Sequence, residues 1–270
     1  MSAWSAVYGI VARDLTRSTR QTSRLLGGVA RPFMWLLLVG TGFHAITRLD
    51  SGLPYPAFVF PGIVTMAALF GGALTAISTV YDREFGMLRL MLASPAGIPA
   101  VLAGRAVAAA LVGMLQGGIV LAFAPLAMEL APWRWPGAVG ALAAVTVMSA
   151  MLGLLIAARL RSVENFAGII NVVLFPLLFL SGALYPTVGL PPAMSALARA
   201  NPVTYAVDLL RHALGQPAER AFALDLAVVL GTTAAAFALT AVIFDPEQRF
   251  IGRGRRGLTS AAAPHTGSHP

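Results

Sequence analysis

The sequence contains no cysteine and no lysine, and it has few charged residues of any kind. Without cysteine, the chain can form neither a disulfide bond nor a thiolate nucleophile or metal ligand. All 19 basic residues are arginine, so the lysine of a P-loop and the lysine of a Schiff base are both absent from this chain. The charged fraction is only 11%, far below the roughly 25% of ordinary soluble domains. These absences exclude thiol chemistry and ATP hydrolysis by the usual lysine-dependent route.

Apolar residues dominate what is present, at 57% of the 270 residues. Several apolar runs reach the roughly 20 residues that a helix needs to cross about 30 Å of hydrocarbon. We predict an all-α, polytopic membrane protein with six transmembrane helices. The predicted spans are residues 32–47, 56–80, 106–128, 136–158, 166–184 and 226–244. We expect no cleavable signal peptide, because the arginine-rich N-terminus lacks a compact apolar region followed by a small-residue cleavage site.

The placement of arginine predicts the orientation of these spans. Fourteen of the 19 arginines fall in the N-terminal segment, in the connections between spans two and three and between spans four and five, and in the tail. The positive-inside rule makes this side cytoplasmic, with both termini on it. The cytoplasmic face then carries the whole formal charge of +8. Since topology accounts for this charge, the basic composition does not indicate nucleic-acid binding.

The two ends of the chain differ from the spans. Residues 1–27 predict a cytoplasmic amphipathic helix in the headgroup plane, either a plain topology anchor or a helix that also contacts a cytoplasmic partner. Its arginine stripe is Arg13, Arg17, Arg20 and Arg24, and its apolar face is Trp4, Val7, Tyr8, Val11 and Leu15. Residues 28–247 form the predicted transmembrane domain, and residues 248–270 a disordered cytoplasmic tail. His265 and His269 in the tail lack further ligands, so we predict no metal site.

The predicted spans are almost free of ionisable groups. A secondary transporter with its own ion coupling usually keeps charged side chains at mid-depth, because such costly groups persist there only for a function. Intramembrane proteases need acid pairs, Ser/His pairs or metal-binding histidines, and the spans contain none of these patterns. Both classes are therefore disfavoured, whereas transport driven by a separate polypeptide remains possible.

A charged segment interrupts the apolar sequence between spans two and three. Residues 82–95 predict a short cytoplasmic helix that Asp82 caps and Pro95 ends, with Phe85, Leu88 and Leu92 on one face. A helix with charged and apolar faces suits docking into a groove of another protein. The alternative is a connector that lies on lipid.

Two motifs carry a family resemblance. They are "REFGMLRLMLASPAGIPAVLAGR" (83–105) and "PLLFLSGALYPTVGLPPAMSALARANPVTYAVDLLR" (176–211). The sequence resembles the permease subunits of type-2 ABC exporters, which include drug-resistance, nodulation-factor and polysaccharide exporters. The resemblance covers about residues 10–250, and both motifs fall at the expected places relative to six spans.

The resemblance implies a division of labour between polypeptides. By this resemblance, two permease chains form the pathway, and a homodimer is expected more than a heterodimer. Separate ATPase subunits hold the ATP and Mg²⁺. This chain is therefore expected not to be an enzyme and to need no cofactor. The loop helix would link the two parts mechanically. The docking residues that we assign to it are Asp82, Arg83, Glu84, Phe85, Leu88 and Arg89.

The second motif predicts two short helices between spans five and six, dipping partly back into the membrane. Pro191-Pro192 suits the start of a helix over 191–200, and a second runs from Val203 to Leu214 and ends at Gly215. The resemblance makes this region an extracellular gate. The gate residues are Ser181, Gly182, Tyr185, Pro186, Asn201, Pro202, Asp208 and Arg211. Asp208 and Arg211, three residues apart, can pair, or they can simply solubilise the outer surface.

The sequence thus favours the permease subunit of an ATP-driven exporter, multi-pass in a bacterial inner membrane. A non-transporting scaffold that recruits cytoplasmic proteins is the alternative, and a self-powered secondary transporter is third. An apolar pathway favours a lipophilic or amphipathic substrate, and glycans and lipids also fit.

Overall fold

The computed structural model describes residues 3–20, 22–44, 52–86, 97–160 and 162–260, and the regular elements in these ranges are helices. The N-terminal helices are α1 (Ala3–Arg20) and α2 (Thr22–Trp35), which continues as a π-helical segment Leu36–Thr41 and a turn Gly42–His44. The remaining helices are α3 (Tyr55–Thr75), α4 (Ile77–Glu84), α5 (Gly97–Ala122), α6 (Trp135–Ala157), α7 (Val163–Phe179), α8 (Pro192–Ala200), α9 (Pro202–Leu214) and α10 (Phe222–Ser260). The prediction of an all-α fold is confirmed.

Four stretches in the described part of the chain are long and apolar enough to cross a membrane. They are Tyr55–Glu84, which contains α3 and α4, and Pro99–Ala122, Pro132–Ala157 and Phe222–Ile243. Two shorter apolar helices, Leu26–Thr41 and Val163–Phe179, overlap the predicted first and fifth spans, and residues 45–47 of the first span lie outside the described part of the chain. Each predicted span therefore corresponds to an apolar helix. The count of six stays a prediction, because two of the six helices are shorter than a full crossing.

Helix α3 is the centre of the bundle, and nearly all of its side chains are buried. Helices α2, α5, α6 and α9 pack around it. Small residues let these helices approach closely. A Cβ atom on Gly153 of α6 would lie 2.6 Å from the Cα atom of Ala73, and one on Gly113 of α5 would lie 3.1 Å from the carbonyl oxygen of Ala68. Close approach at small residues is how helices associate where lipid removes the hydrophobic drive between them.

Helix α1 packs against α5 through one face and exposes another. Ile10 and Asp14 are buried, and Ile10 lies against Gly104, where an added Cβ would come within 3.1 Å of it. Trp4 and Tyr8, on the predicted apolar face, are largely exposed, as a lipid-facing surface requires. The arginine stripe does not point uniformly outwards, because Arg13 turns towards the protein and pairs with Asp14 and Asp82.

The two predicted short helices between the last apolar helices are present. Helix α8 begins after Pro191, and α9 ends at Gly215, whose φ of +78° is the left-handed conformation that glycine adopts without strain. The last helix, α10, extends to Ser260, so residues 248–260 continue it where the sequence predicts a disordered tail. Residues 261–270 lie outside the described part of the chain, and disorder there stays a prediction.

Candidate functional site

Three consecutive charged residues end α4, and the first of them joins three helices. Asp82 is buried and accepts a hydrogen bond from Nη2 of Arg13 at 2.8 Å. Its Oδ2 atom also accepts a short bond from Nη2 of the fully buried Arg105, whose Nη1 donates to Thr79 at 3.0 Å. One carboxylate thus connects α1, α4 and α5.

Arg83 and Glu84 contact α6 and α7 at the connection between these two helices. Nη1 of Arg83 donates to the carbonyl oxygens of Ala157 at 3.2 Å and Ala158 at 2.6 Å, at the C-terminal end of α6. Glu84 accepts from the backbone N–H of Val163 at 3.2 Å, the first residue of α7. A cation at a helix C-terminus and an anion at a helix N-terminus both complement the helix dipole. The end of α4 therefore contacts both ends of the α6–α7 connection.

An aromatic pair follows on the same segment. Phe85 stacks on Tyr81 with ring centroids 6.2 Å apart, and the guanidinium of Arg17 lies 5.1 Å from the Tyr81 centroid. Phe85 is nevertheless 72% exposed, a large apolar surface at the end of a helix. Asp82 lies in the last turn of α4 and does not cap a helix that starts there, because α4 already runs from Ile77.

Part of the predicted loop helix, residues 87–95, falls outside the described part of the chain. Glu84 ends α4, and Gly86 has a φ of +75°, a conformation that breaks the helix. Leu88 and Arg89 lie in residues 87–96, outside the described part of the chain. The structure therefore places Asp82, Arg83, Glu84 and Phe85 at the end of α4, where Asp82 is buried and Glu84 and Phe85 are exposed, and the other two docking residues stay predictions.

The second candidate site, at the opposite end of α3, contains a buried ion pair. Asp208 and Arg211 of α9 are only 1% and 3% exposed, and Nη1 of Arg211 lies 3.6 Å from Oδ1 of Asp208. They pair as their spacing predicts, and their burial is inconsistent with a role in solubilising the surface. Asp208 also accepts the backbone N–H groups of Glu219 at 3.0 Å and Arg220 at 2.8 Å. Burial lowers the pKa of Arg211, and the carboxylates of Asp208 and Glu219 oppose that shift.

The same ion pair holds the loop that follows α7. Nη2 of Arg211 donates to the carbonyl oxygen of Gly182 at 2.7 Å, and its guanidinium lies 4.6 Å from the Phe58 ring centroid in α3. Gly182 has a φ of +80°, so another residue there would be strained. The N–H of Thr187 donates to Oε1 of Glu219 at 2.8 Å. These contacts fix the loop between α7 and α8 against α9 and the start of α3.

The remaining predicted gate residues lie at the joints of this region. Ser181 is buried and donates to the carbonyl oxygen of Leu178 at 2.6 Å. Asn201 accepts from the N–H of Val203 at 3.0 Å, which caps α9, and donates to the carbonyl oxygen of Leu177 at 2.5 Å, while Pro202 is the first residue of α9. Tyr185 and Pro186 line a cavity of about 340 Å³ beside Trp35 and Phe179. The structure thus places all eight residues in one region.

Comparison with known proteins identifies the family. The sequence profile described as "ABC-2 type transporter" matches residues 5–214, which is more than half of the chain. This chain belongs to the ABC-2 type transporter family. Among its relatives is a protein named as transport permease ycf38 from Cyanophora paradoxa, 26% identical over 216 residues, covering 76% of this chain and 72% of the relative. Another is Nodulation protein J from Rhizobium leguminosarum bv. viciae, 29% identical over 203 residues, covering 72% of this chain and 76% of the relative.

The ABC-2 assignment confirms the resemblance predicted from the two motifs. The matched region extends from α1 to the end of α9, so it contains the predicted residues of both candidate sites, whereas Glu219 and Arg220 lie beyond it. An ABC-2 permease is a membrane transport subunit and is not itself catalytic. Sequence reasoning missed several residues that complete the sites, namely Arg13, Arg105, Thr187, Glu219 and Arg220. A signal for two of them exists, since Arg13 and Arg105 are basic residues at the predicted cytoplasmic face near the acidic Asp82.

Proposed function

We propose that this ABC-2 permease is the membrane-spanning subunit of an ATP-driven exporter and that a separate ATPase acts on it through the end of α4 and the loop that follows. In this proposal two permease chains form the translocation pathway, most simply as a homodimer in the inner membrane of a bacterium. Both termini lie in the cytoplasm. ATP and Mg²⁺ bind to the partner ATPase.

The observation that carries this proposal is the set of contacts made by Asp82, Arg83 and Glu84. Asp82 connects α4 to α1 and α5. Arg83 connects it to the end of α6, and Glu84 connects it to the start of α7. A displacement of this segment would therefore reach helices on several sides of the bundle at once. Phe85, immediately beyond, offers an exposed apolar ring for a partner groove. A non-transporting scaffold would not require the docking segment to be joined to so many helices.

We also propose that the cluster around Asp208 and Arg211 closes the extracellular end of the pathway. The loop after α7 is held to α3 at a further point, because the hydroxyl group of Tyr55 donates to the carbonyl oxygen of Leu184 at 2.8 Å. The segment after α9 is also held to α3, since Nε2 of Gln216 donates to the carbonyl oxygen of Ala57 at 2.6 Å. Buried polar contacts of this kind favour one arrangement over intermediate ones, as a gate with defined states needs.

The test of the exporter proposal is co-purification with an ATPase, followed by measurement of coupling. The permease is co-expressed with candidate Walker-type ATPases, and any complex that forms is reconstituted in liposomes. We expect a stoichiometric complex, and we expect Phe85→Ser and Glu84→Arg to reduce complex recovery and coupled ATP hydrolysis by about tenfold, the size of one well-packed contact. The matched control is Phe222→Ser, a change of an exposed phenylalanine at the opposite end of the bundle.

The outcomes separate the two functions. If no ATPase co-purifies although the permease is monodisperse, the scaffold alternative is favoured. If the complex forms but both variants hydrolyse ATP and export as the wild type does, the docking assignment at the end of α4 is wrong.

A further inference from the structure

A cavity of about 210 Å³ lies between α2, α3 and α5, and neither candidate site uses it. Its walls are mostly apolar or backbone, and they include Met66, Phe70 and Val112. Four polar side chains also line it, namely the hydroxyl groups of Ser18 and Thr75, the guanidinium of Arg31 and the carboxamide of Gln116. Arg31 is the sole charged residue among the described residues that line the cavity.

Gln116 is a buried polar side chain with an unused hydrogen-bonding atom. It is only 4% exposed, and its Oε1 atom has no hydrogen-bond partner within the described ranges. An unsatisfied buried polar atom costs about 1–3 kcal/mol, so its retention calls for a physical reason.

Two glycines make room for this amide. A Cβ atom on Gly28 of α2 would lie 2.4 Å from Nε2 of Gln116, and one on Gly71 of α3 would lie 2.7 Å from Oε1. The carboxamide therefore sits between two helix backbones that only glycine brings this close. The small residues at these positions keep the amide at the cavity wall.

Arg31 supplies a positive charge that the described carboxylates do not neutralise. Its guanidinium lies 4.8 Å from the Phe70 ring centroid, and within the described residues no Asp or Glu forms an ion pair with it. A cation over an aromatic face is held in place but keeps its five N–H donors for an additional acceptor. By contrast, Arg13, Arg105 and Arg211 each face a carboxylate. The uncompensated charge favours an anionic ligand.

An apolar groove continues from the cavity along α2. Gly27 and Arg31 line both the cavity and this groove, which has a volume of about 590 Å³ and includes Met34 and Leu38. Trp35 and Val39 then line both the groove and the cavity of about 340 Å³ near Tyr185. Each space therefore shares lining residues with the next, and the charged group lies at the Arg31 end while the other walls are mostly apolar.

From this juxtaposition we infer that the space between α2, α3 and α5 binds an anionic amphiphile, with a phosphate or carboxylate head at Arg31 and Gln116 and an apolar chain in the groove along α2. Arg31 donates to the anion, and the Oε1 atom of Gln116 accepts from a hydroxyl or N–H group of the same head. The inference rests on the proposed function, because it names the class of molecule that the exporter would carry. The anionic head matches the polar wall at Arg31 and Gln116, and the apolar chain matches the apolar wall along α2.

The test measures binding of [³²P]dodecyl phosphate to the full-length chain in phosphatidylcholine nanodiscs, with empty nanodiscs subtracted. We expect saturable binding that unlabelled dodecyl phosphate displaces and that dodecyltrimethylammonium and dodecyl maltoside do not. Arg31→Gln should weaken binding by at least about tenfold, the size expected for a charge-assisted hydrogen bond. Arg31→Lys should weaken it less, because the charge is kept. Arg20→Gln, at an exposed arginine of α1, is the matched control and should bind as the wild type does.

A second set of variants tests the amide independently of charge. Gln116→Leu keeps the volume and removes the carboxamide, and it should weaken binding several-fold. Gly28→Ala places a methyl group on the amide and should do the same, whereas Gly118→Ala on α5, with open space around its Cβ and outside the lining of the cavity and the groove, should not. Gel-filtration profiles and melting temperatures of all variants show whether the fold is kept. Equal binding by Arg31→Gln and Arg20→Gln, or equal displacement by the cationic and anionic amphiphiles, would overturn the inference.

Competition identifies the source of the anion. Phosphatidylglycerol added to the nanodiscs displaces the probe if a bilayer lipid is the natural occupant, and inorganic phosphate displaces it if the head group alone suffices. Failure of inorganic phosphate to displace the probe shows that head and chain are both required, as the inference states, whereas displacement by inorganic phosphate would overturn the requirement for a chain. If the probe binds saturably but no ATPase co-purifies with the permease, the proposed function alone is refuted. An intact ATPase complex without saturable probe binding would refute this inference alone.

Discussion

The junction at Asp82 allows a quantitative prediction about stability. Asp82 faces two guanidinium groups in different environments, since the side chain of Arg105 is 1% exposed and that of Arg13 is 40% exposed. Changing Asp82 to Asn removes the carboxylate that faces both guanidinium groups. Breaking a buried ion pair by removal of one partner costs about 3–5 kcal/mol, because a buried charge loses its compensation. Since Arg105 keeps its bond to Thr79, we expect a loss near the lower limit, about 3 kcal/mol.

Changing Arg13 instead should cost much less. Its guanidinium is half-exposed in its pairs with both Asp82 and Asp14, so water can replace it, and such pairs contribute about 0.2–1 kcal/mol each. Arg13→Gln is therefore the control for Asp82→Asn, and the double variant Asp82→Asn/Arg105→Met tests the mechanism, because it removes both buried charges at once. We expect the double variant to be more stable than Asp82→Asn alone.

The assay is the melting temperature of the purified protein in one detergent, followed by fluorescence-detected gel filtration after heating. One kcal/mol corresponds to about 2–4 °C for soluble chains of 150–250 residues, so Asp82→Asn should melt several degrees below Arg13→Gln. Equal losses for Asp82→Asn and Arg13→Gln would refute the argument from burial. A double variant less stable than Asp82→Asn would show that the uncompensated charge of Arg105 is not what costs stability.

Two further predictions concern packing and capping. Gly153→Ala should lower the melting temperature by several degrees, because its methyl group would lie 2.6 Å from the Ala73 backbone and force α6 away from α3. The control is Gly140→Ala, whose methyl group would have nothing within 4 Å and should leave the melting temperature unchanged. Asn201→Ala should destabilise the protein by about 1–2 kcal/mol by the same assay, since it removes both the cap of α9 and the bond to Leu177. Asn201→Ser, which keeps a neutral capping oxygen, should lose less, and a larger loss for Asn201→Ser would contradict the capping argument.

Local features of the fold were accessible from the sequence. The apolar runs predict the positions of the six apolar helices, and the Pro-Pro, Asn-Pro and Gly signals predict the bounds of α8 and α9. These signals work because capping and helix breaking depend on residues a few positions apart. The family motifs are equally local, so they identify the region of each candidate site without its partners.

The partners depend on contacts between distant parts of the chain. Asp82 reads locally as a helix cap, whereas its bonds go to Arg13, 69 residues earlier, and Arg105, 23 residues later. Asp208 and Arg211 read locally as a surface pair. They are buried because the backbone of residues 219–220 and the loop at Gly182 close over them. Spacing predicts that two side chains can meet, but only the packing of other elements decides whether water also reaches them.

The two candidate sites lie at opposite ends of one nearly continuous helical stretch, Tyr55–Glu84. At one end Asp82, Arg83 and Glu84 join it to its neighbours, and at the other Tyr55, Ala57 and Phe58 contact Leu184, Gln216 and Arg211. Between these ends its side chains are buried on almost every side, and close-packed interiors transmit displacement instead of absorbing it. Under the proposed function, the shortest mechanical route from the docking surface to the outer loop therefore runs along α3 itself.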